Sequence, residues 1–400
     1  MMSTDIRFDP ASAAFNDDPY PLYARLRREA PAFAFEWEGK TYWLLSRYAD
    51  IAEALVRWQD YTATRGILIE DSPARVGLSL GTMDPPRHDE LRPMFNRAFL
   101  PDRIRAAGET ARLHARALTD ALRDADRFDV VADFAKPFFN RAVGRMIGIS
   151  SDDEGALLAL LAEVTSQSSP FGAPIKFAAL PALNEFFLER VEQAGTDTGD
   201  LISVLRAGRD GERAASDAEI ANATVAVTLA GFSTAIHFLG NLLAALERHP
   251  EQRARLFEDP SLVPAAVEEG ARYDTAGHAF ARSTTRPLEV GGISLPQEAR
   301  VVLLYASANH DETVFPDADR FDLGRVRTRH FGFGSGPHLC LGAPLARTLV
   351  KVALEELMPL IGPRYELDYA SATRPANLTS RGFERLVVVR NTQPCGGGVL

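Results

Sequence analysis

The residues best placed to do chemistry lie in one short run, Phe333-Gly334-Ser335-Gly336-Pro337-His338-Leu339-Cys340-Leu341-Gly342. Three glycines around one cysteine let a backbone loop approach something flat and bulky, because no Cβ intervenes. Immediately after, Ala343-Pro344-Leu345-Ala346-Arg347 predicts the start of a helix, with Pro344 tolerated in its first turn. A thiolate at a helix N-terminus gains from free backbone N–H groups and from the positive end of the dipole. A sulfur so held is a good axial ligand to a metal centre. Only two cysteines occur in 400 residues, which is no disulfide framework and fits a reducing compartment. The second, Cys395, falls in Gln393-Pro394-Cys395-Gly396-Gly397-Gly398, and residues 391–400 read as a flexible tail that leaves it a bystander.

Three further spacings bear on chemistry. Ala230-Gly231-Phe232-Ser233-Thr234 puts a glycine inside a helical stretch, at a cost of about 1 kcal/mol relative to alanine, so a local reason is expected. Met83-Asp84-Pro85-Pro86-Arg87-His88-Asp89-Glu90-Leu91-Arg92 places His88 and Arg92 four apart, on one helical face. Glu269 and Arg272 are three apart and share a face in the same way.

The elements that position these groups are mostly helical. Ser216 with Glu219 forms a capping-box pattern, and apolar residues then run to about Glu247, before His249-Pro250. About thirty residues at 1.5 Å each give a helix of roughly 45 Å, enough to cross a whole domain. Asp18-Pro19-Tyr20-Pro21 opens another helix, and Phe33 to Leu45 reads as a hairpin turning at Glu38-Gly39. Val301 to Leu304 and Leu386 to Val389 supply a minor β component. With 46% hydrophobic and 24% charged residues the chain can afford a large core. A formal charge of −10 argues against a general nucleic-acid binder. Neither a membrane-length apolar run nor a signal peptide is evident, so a cytoplasmic monomer is expected.

Phe333, Gly334, Gly336, His338, Cys340 and Gly342 match the haem-binding pattern Phe-Gly-x-Gly-x-His-x-Cys-x-Gly, and the chain resembles the cytochrome P450 family over nearly its whole length. The resemblance implies a mainly α fold with minor β, one domain over residues 1–390, with haem b between the long central helix and the loop of Cys340. It implies that Cys340 ligates the iron and that His88, Arg92, Arg282 and His338 meet the two haem propionates. Glu269 and Arg272 become a structural pair, joined by Arg320 or Arg325. Thr234 matches the threonine that supports oxygen activation, beside a small residue that leaves room for dioxygen, here Gly231. The residue before that threonine is usually an acid in a proton relay, and here it is Ser233, which cannot titrate near neutral pH.

By the same resemblance the substrate pocket falls to Ile67, Leu68, Ile69, Leu78, Leu80, Phe171, Phe177, Ala230, Phe280 and Phe383, with Ser166 to Pro181 as a lid. An apolar organic substrate, aromatic among the options, is then hydroxylated or dealkylated with O2. Thr64-Arg65-Gly66 resembles bacterial members acting on aromatic acids, with Arg75 as the carboxylate partner. No flavin or iron–sulfur segment is present, so electrons come from a ferredoxin or flavodoxin and its NAD(P)H-dependent reductase. Arg103, Arg105, Arg112, Arg325, Arg327, Arg329 and Arg347 would give that partner a basic surface. Ser233 leaves an alternative open, a peroxide-driven or non-monooxygenase haem-thiolate enzyme. Cys340 argues against a third reading, a haem-free partner protein on this fold.

Overall fold

Ser216 Oγ accepts from the Glu219 amide (3.2 Å), and the Glu219 carboxylate accepts from the Ser216 amide (2.9 Å). That capping box starts a helix of 32 residues, Asp217–Arg248, roughly 48 Å long. The computed structural model describes residues 6–72, 75, 77–166, 169–171, 175–195, 198–207 and 215–390. The expected tail, residues 391–400 with Cys395, lies outside them, as do 167–168 and 172–174 of the expected lid. By length and composition the long helix could cross a membrane, yet 67% of its most apolar window is buried inside the protein. Its apolar surface is covered instead by Leu180–Gln193, Lys136–Ile147, Val263–Tyr273 and Ala343–Ile361. Buried Thr224 and Thr228 return their hydroxyls to carbonyls one turn back (2.7 Å each), which is how polar side chains survive in this core.

Beside the helices lies a five-stranded sheet. Ala32–Trp37 and Lys40–Leu45 form the hairpin, with Glu38 at φ 49° and Gly39 at φ 75° in its two-residue turn. Arg300–Leu303 adds parallel to the second strand, Phe280–Thr284 pairs with it antiparallel, and Tyr61–Thr62 closes the edge. A second sheet joins Arg127–Asp129, Arg385–Val389 and Glu366–Thr373 near the C-terminus.

A buried ion network ties the layers together. All five N–H groups of Arg272 are used: Glu269 takes two (2.9 and 2.8 Å), and the carbonyls of Asn309, Ala318 and Arg320 take three (2.8, 2.8 and 3.1 Å). Arg325 supplies the third charge, donating to Glu269 at 2.9 Å. Arg320 gives only its carbonyl, so of the two candidates Arg325 joins the pair. The network fixes the chain leading into the cysteine loop against the helix Val263–Tyr273.

Candidate functional site

The Cys340 loop is shaped by two glycines at φ 68° and 67°, Gly334 and Gly336. At Gly336 a Cβ would come within 2.2 Å of the Leu55 carbonyl oxygen, so no larger residue fits. Phe333 accepts from the Cys340 amide (2.9 Å), and the helix Ala343–Ile361 begins three residues on. Burial pushes the Cys340 thiol up, opposed by amides of Gly342 and Ala343 aimed at the sulfur and by the charges of Arg92 and Arg347. Yet Cys340 keeps accessible surface. Amides and cations thus lie against the sulfur while the residue keeps a face open. A coordinating metal deprotonates such a thiol outright.

Arg347 stacks over Phe333, 4.1 Å from its ring centroid, and pairs with Glu268 through two hydrogen bonds (2.7 and 2.8 Å). His330 also donates to Glu268 (3.0 Å). Burial would raise Glu268, and these two partners more than reverse it, holding the carboxyl well below the usual range. Glu268 carries no motif of its own; adjacency to Glu269 was its only signal.

His88 and Arg92 project from the helix Arg87–Asn96 toward the cysteine loop. Arg92 donates to the Leu339 carbonyl (2.7 Å), and the rings of His88 and His338 are 5.0 Å apart. Each histidine spends one nitrogen on an aspartate, His88 Nδ1 on Asp89 (2.8 Å) and His338 Nε2 on Asp84 (3.4 Å). The other nitrogen of each, His88 Nε2 and His338 Nδ1, is buried with no partner. Arg282 is buried beside them; burial first, then the Arg282 and His88 charges, depress His338.

The long helix meets the cysteine loop through Phe238, whose ring lies 6.2 Å from that of Phe333. Ala230 is exposed, while Ser233 and Thr234 keep part of their surface, and the Thr234 hydroxyl donates to the Ala230 carbonyl (2.6 Å). Gly231 is a correction. Its missing Cβ points at Val143, which it would meet at 3.3 Å, so close packing on Lys136–Ile147 explains the glycine. His237, three residues past Thr234, was not anticipated; its Nδ1 pairs with Ser380 Oγ (2.9 Å), and burial with the charges of Arg374 and Lys136 holds it down to about 4.

The expected pocket divides. Ile67, Leu80, Phe177 and Phe280 are partly buried, and Leu78 is exposed. Leu68 packs in the main core. Ile69 and Phe171 are corrections, fully buried in a cluster beneath the hairpin, where Phe171 meets Tyr42, Phe35 and Phe8 at 4.6, 5.1 and 6.3 Å. Phe383 is another, wedged against Gly240 with Arg374 stacked 3.6 Å from its ring. Arg75 is no free carboxylate partner, because Asp71 takes its charge at 2.9 Å. Sequence reading also missed Arg300, whose buried guanidinium donates to the carbonyls of Gly66, Leu68 and Ile69 and so fixes the pocket loop. The basic surface shrinks likewise. Arg112 pairs with Glu355 and Glu356, Arg325 with Glu269 and Arg347 with Glu268, while Arg105 stays exposed beside Asp102 and Arg327 and Arg329 are exposed too.

A family model described as Cytochrome P450 matches residues 177–383. The nocardicin C N-oxygenase of Nocardia uniformis subsp. tsuyamanensis is 35% identical over 369 residues, 90% of this chain and 92% of that protein. The vitamin D(3) 25-hydroxylase of Pseudonocardia autotrophica is 32% identical over 392 residues, 96% of this chain and 93% of that protein. A solved cytochrome P450 of Chondromyces apiculatus superposes with a TM-score of 0.86 at 28% identity, covering 96% of this chain and 97% of that one. The chain belongs to the cytochrome P450 family and is a haem-thiolate monooxygenase. Its cofactor, haem b, fits the residues present. A flat group with two carboxylates needs a thiolate on one face and N–H donors at one edge. The site offers Cys340 and the two unpartnered imidazole nitrogens beside Arg282 and Arg92.

Proposed function

We propose that Cys340 is the axial ligand, that His88, Arg92, Arg282 and His338 hold the haem carboxylates, and that Ala230 and Thr234 face the oxygen-binding side. The observation that carries this reading is the pair of buried, unpartnered imidazole nitrogens, His88 Nε2 and His338 Nδ1, held beside Arg92 at the Cys340 loop. Thiolate-ligated haem iron supplies the electron density that favours O–O cleavage. The chain's own part is to hold and orient. Amides of Gly342 and Ala343 steady the sulfur, while Asp84 and Asp89 orient the two imidazoles. The Thr234 hydroxyl, already donating to Ala230, can still accept a hydrogen bond from water or substrate-side groups.

The substrate we assign is a small-to-medium apolar organic molecule, hydroxylated or dealkylated with O2 and two electrons from a ferredoxin or flavodoxin. Partly buried Ile67, Leu80, Phe177 and Phe280 support the apolar character. Exposed Arg327 and Arg329, on the stretch leading to the cysteine loop, support an acidic electron donor. Ser233 motivates a second reading, a peroxide-driven enzyme. Among the described residues its side chain makes no hydrogen bond, and it cannot donate a proton as an acid would.

The test is spectroscopic. Reduced protein with carbon monoxide shows the red-shifted Soret band of thiolate-ligated haem, Cys340→Ser loses it, and Cys395→Ser keeps it. A Cys340→Ser protein that retained the band would refute the assignment. Product formation with NAD(P)H and partner proteins, compared with peroxide alone, separates the two readings. Ser233→Asp raises coupling of electrons to product under the first and leaves peroxide turnover unchanged under the second.

A further inference from the structure

Away from the cysteine loop, Arg374 follows the strand Glu366–Thr373 and stacks on Phe383. Its Nη1 makes two long hydrogen bonds, 3.3 Å to Asn241 Oδ1 and 3.4 Å to the Gly382 carbonyl. Its Nη2 is buried with no partner. Among the described residues no carboxylate forms an ion pair with it. The nearby Asp274 is already engaged, accepting from Arg381 at 3.0 Å and from the Tyr20 hydroxyl at 2.9 Å. Burial, together with the Arg381 charge, pulls Arg374 down to about 10, which leaves it a cation at neutral pH. Two guanidiniums therefore share one carboxylate. A buried charge left without a counter-ion is costly.

Next to this excess lies a cavity of about 10 Å³, roughly the room that one water-sized guest needs. Its lining includes Arg374, Arg381, His278, Asn16, Asn377 and Gly382, two arginines and no carboxylate. His278 does not alter the sign of the site. Burial and the Arg381 charge keep its imidazole neutral at neutral pH, and its Nε2 is engaged by the Tyr23 hydroxyl at 2.8 Å.

We propose that this cavity is an anion site that takes a monatomic halide, chloride under ordinary conditions, held by Arg374 with Arg381. A water molecule would satisfy the Nη2 hydrogen bond but would leave the charge unbalanced. A carboxylate or phosphate carries the charge in a much larger body. A monatomic halide supplies it in the least volume, which suits a void this small. The site also has a reach beyond itself, because Arg374 is the strongest charge acting on His237, and the backbone of Gly382 packs against His237. Halide there would screen His237 and stiffen the Ser380–Gly382 loop that its imidazole holds.

The haem-loaded protein is melted in sodium chloride and in sodium gluconate at equal ionic strength, and its crystals are soaked in bromide. Chloride raises Tm saturably over gluconate, by on the order of 2 °C at tenfold excess over Kd. Arg374→Gln loses that increment, while Arg374→Lys keeps part of it. Bromide gives an anomalous peak between Arg374 and Arg381. Indistinguishable melts in the two salts, or bromide crystals with no peak in the cavity, mean a water-filled void and overturn the proposal. A peak without the chloride-specific rise means binding at crystal concentration only and overturns it too. A rise that survives Arg374→Gln puts the site elsewhere. If Arg374→Gln does not fold, the wild-type melts and the bromide peak decide.

Discussion

Arg272 and His338 are both buried, and both are hydrogen-bonded to a carboxylate, yet their surroundings are finished to different degrees. Around Arg272 every donor has an acceptor, and Glu269 balances two guanidiniums with help from the Asp322 amide (3.1 Å). Around His338 and His88 one nitrogen of each ring is committed and the other is buried without a partner. Buried polar atoms are nearly always paired, so the two clusters answer to different requirements. The first closes on itself and holds the fold. The second is completed only by a group with acceptors to offer, which is what two haem carboxylates are.

That contrast predicts different failures. The largest effect belongs to Glu269→Ala, which strands two buried guanidiniums and costs about 3–5 kcal/mol of stability. Denaturant unfolding of the haem-loaded protein measures it. A loss below about 1 kcal/mol would make the network no more than a surface pair. His338→Ala should do the reverse, sparing the unfolding midpoint while haem passes to apomyoglobin on the order of ten times faster, equivalent to about 1.4 kcal/mol. Equal losses of stability and haem retention in both variants would erase the distinction between the clusters.

Glu268 sharpens the comparison through pH. Its folded-state value lies below the ordinary glutamate value of 4.5, so the folded protein holds this proton less readily than the unfolded chain. Its stabilisation is therefore complete above the ordinary value and drains away as pH falls beneath it. Glu268→Gln should lose stability at pH 7 and show a shallower decline toward pH 4 than wild type. Parallel curves would show that the Arg347 and His330 contacts carry no net free energy.

The smallest effect is expected at Arg65, which pairs with Glu298 on the surface. Arg65→Ala should leave Tm within error, since exposed ion pairs contribute little. It also tests the aromatic-acid reading of Thr64-Arg65-Gly66. Weaker benzoate binding in Arg65→Ala, followed by the haem absorbance shift, would restore a role for this arginine in the pocket.

The local devices could be read directly from sequence, because each depends on neighbours a few residues away. The Ser216–Glu219 box, the Glu38-Gly39 turn, the glycine loop before Cys340 and the His88/Arg92 spacing are of this kind. The pocket was much less legible. Ile69, Phe171 and Phe383 have the apolar character of pocket residues, and a buried core asks for the same character. Gly231 misled for a related reason, since a glycine in a helix signals close approach without saying what approaches. Arginines misled most, because Arg112, Arg325 and Arg347 look alike in sequence whether solvated or paired.

What the sequence determined by itself was the cysteine loop, the capped long helix that faces it and the identity of the groups converging between them. The loop, the helix and the His88/Arg92 spacing follow from backbone sterics, capping and helical periodicity, which act over a turn or two of chain, while the roles of the haem-side groups came from the resemblance to the P450 family. Only the tertiary structure decided which charge meets which. Glu269 chose Arg325 over Arg320, Glu268 took Arg347, Asp84 and Asp89 each claimed one nitrogen of a histidine, and among the described residues Arg374 pairs with no carboxylate. Partner choice depends on distances between segments far apart in the chain and on burial that strengthens each pairing. Neither quantity is written in the order of the residues.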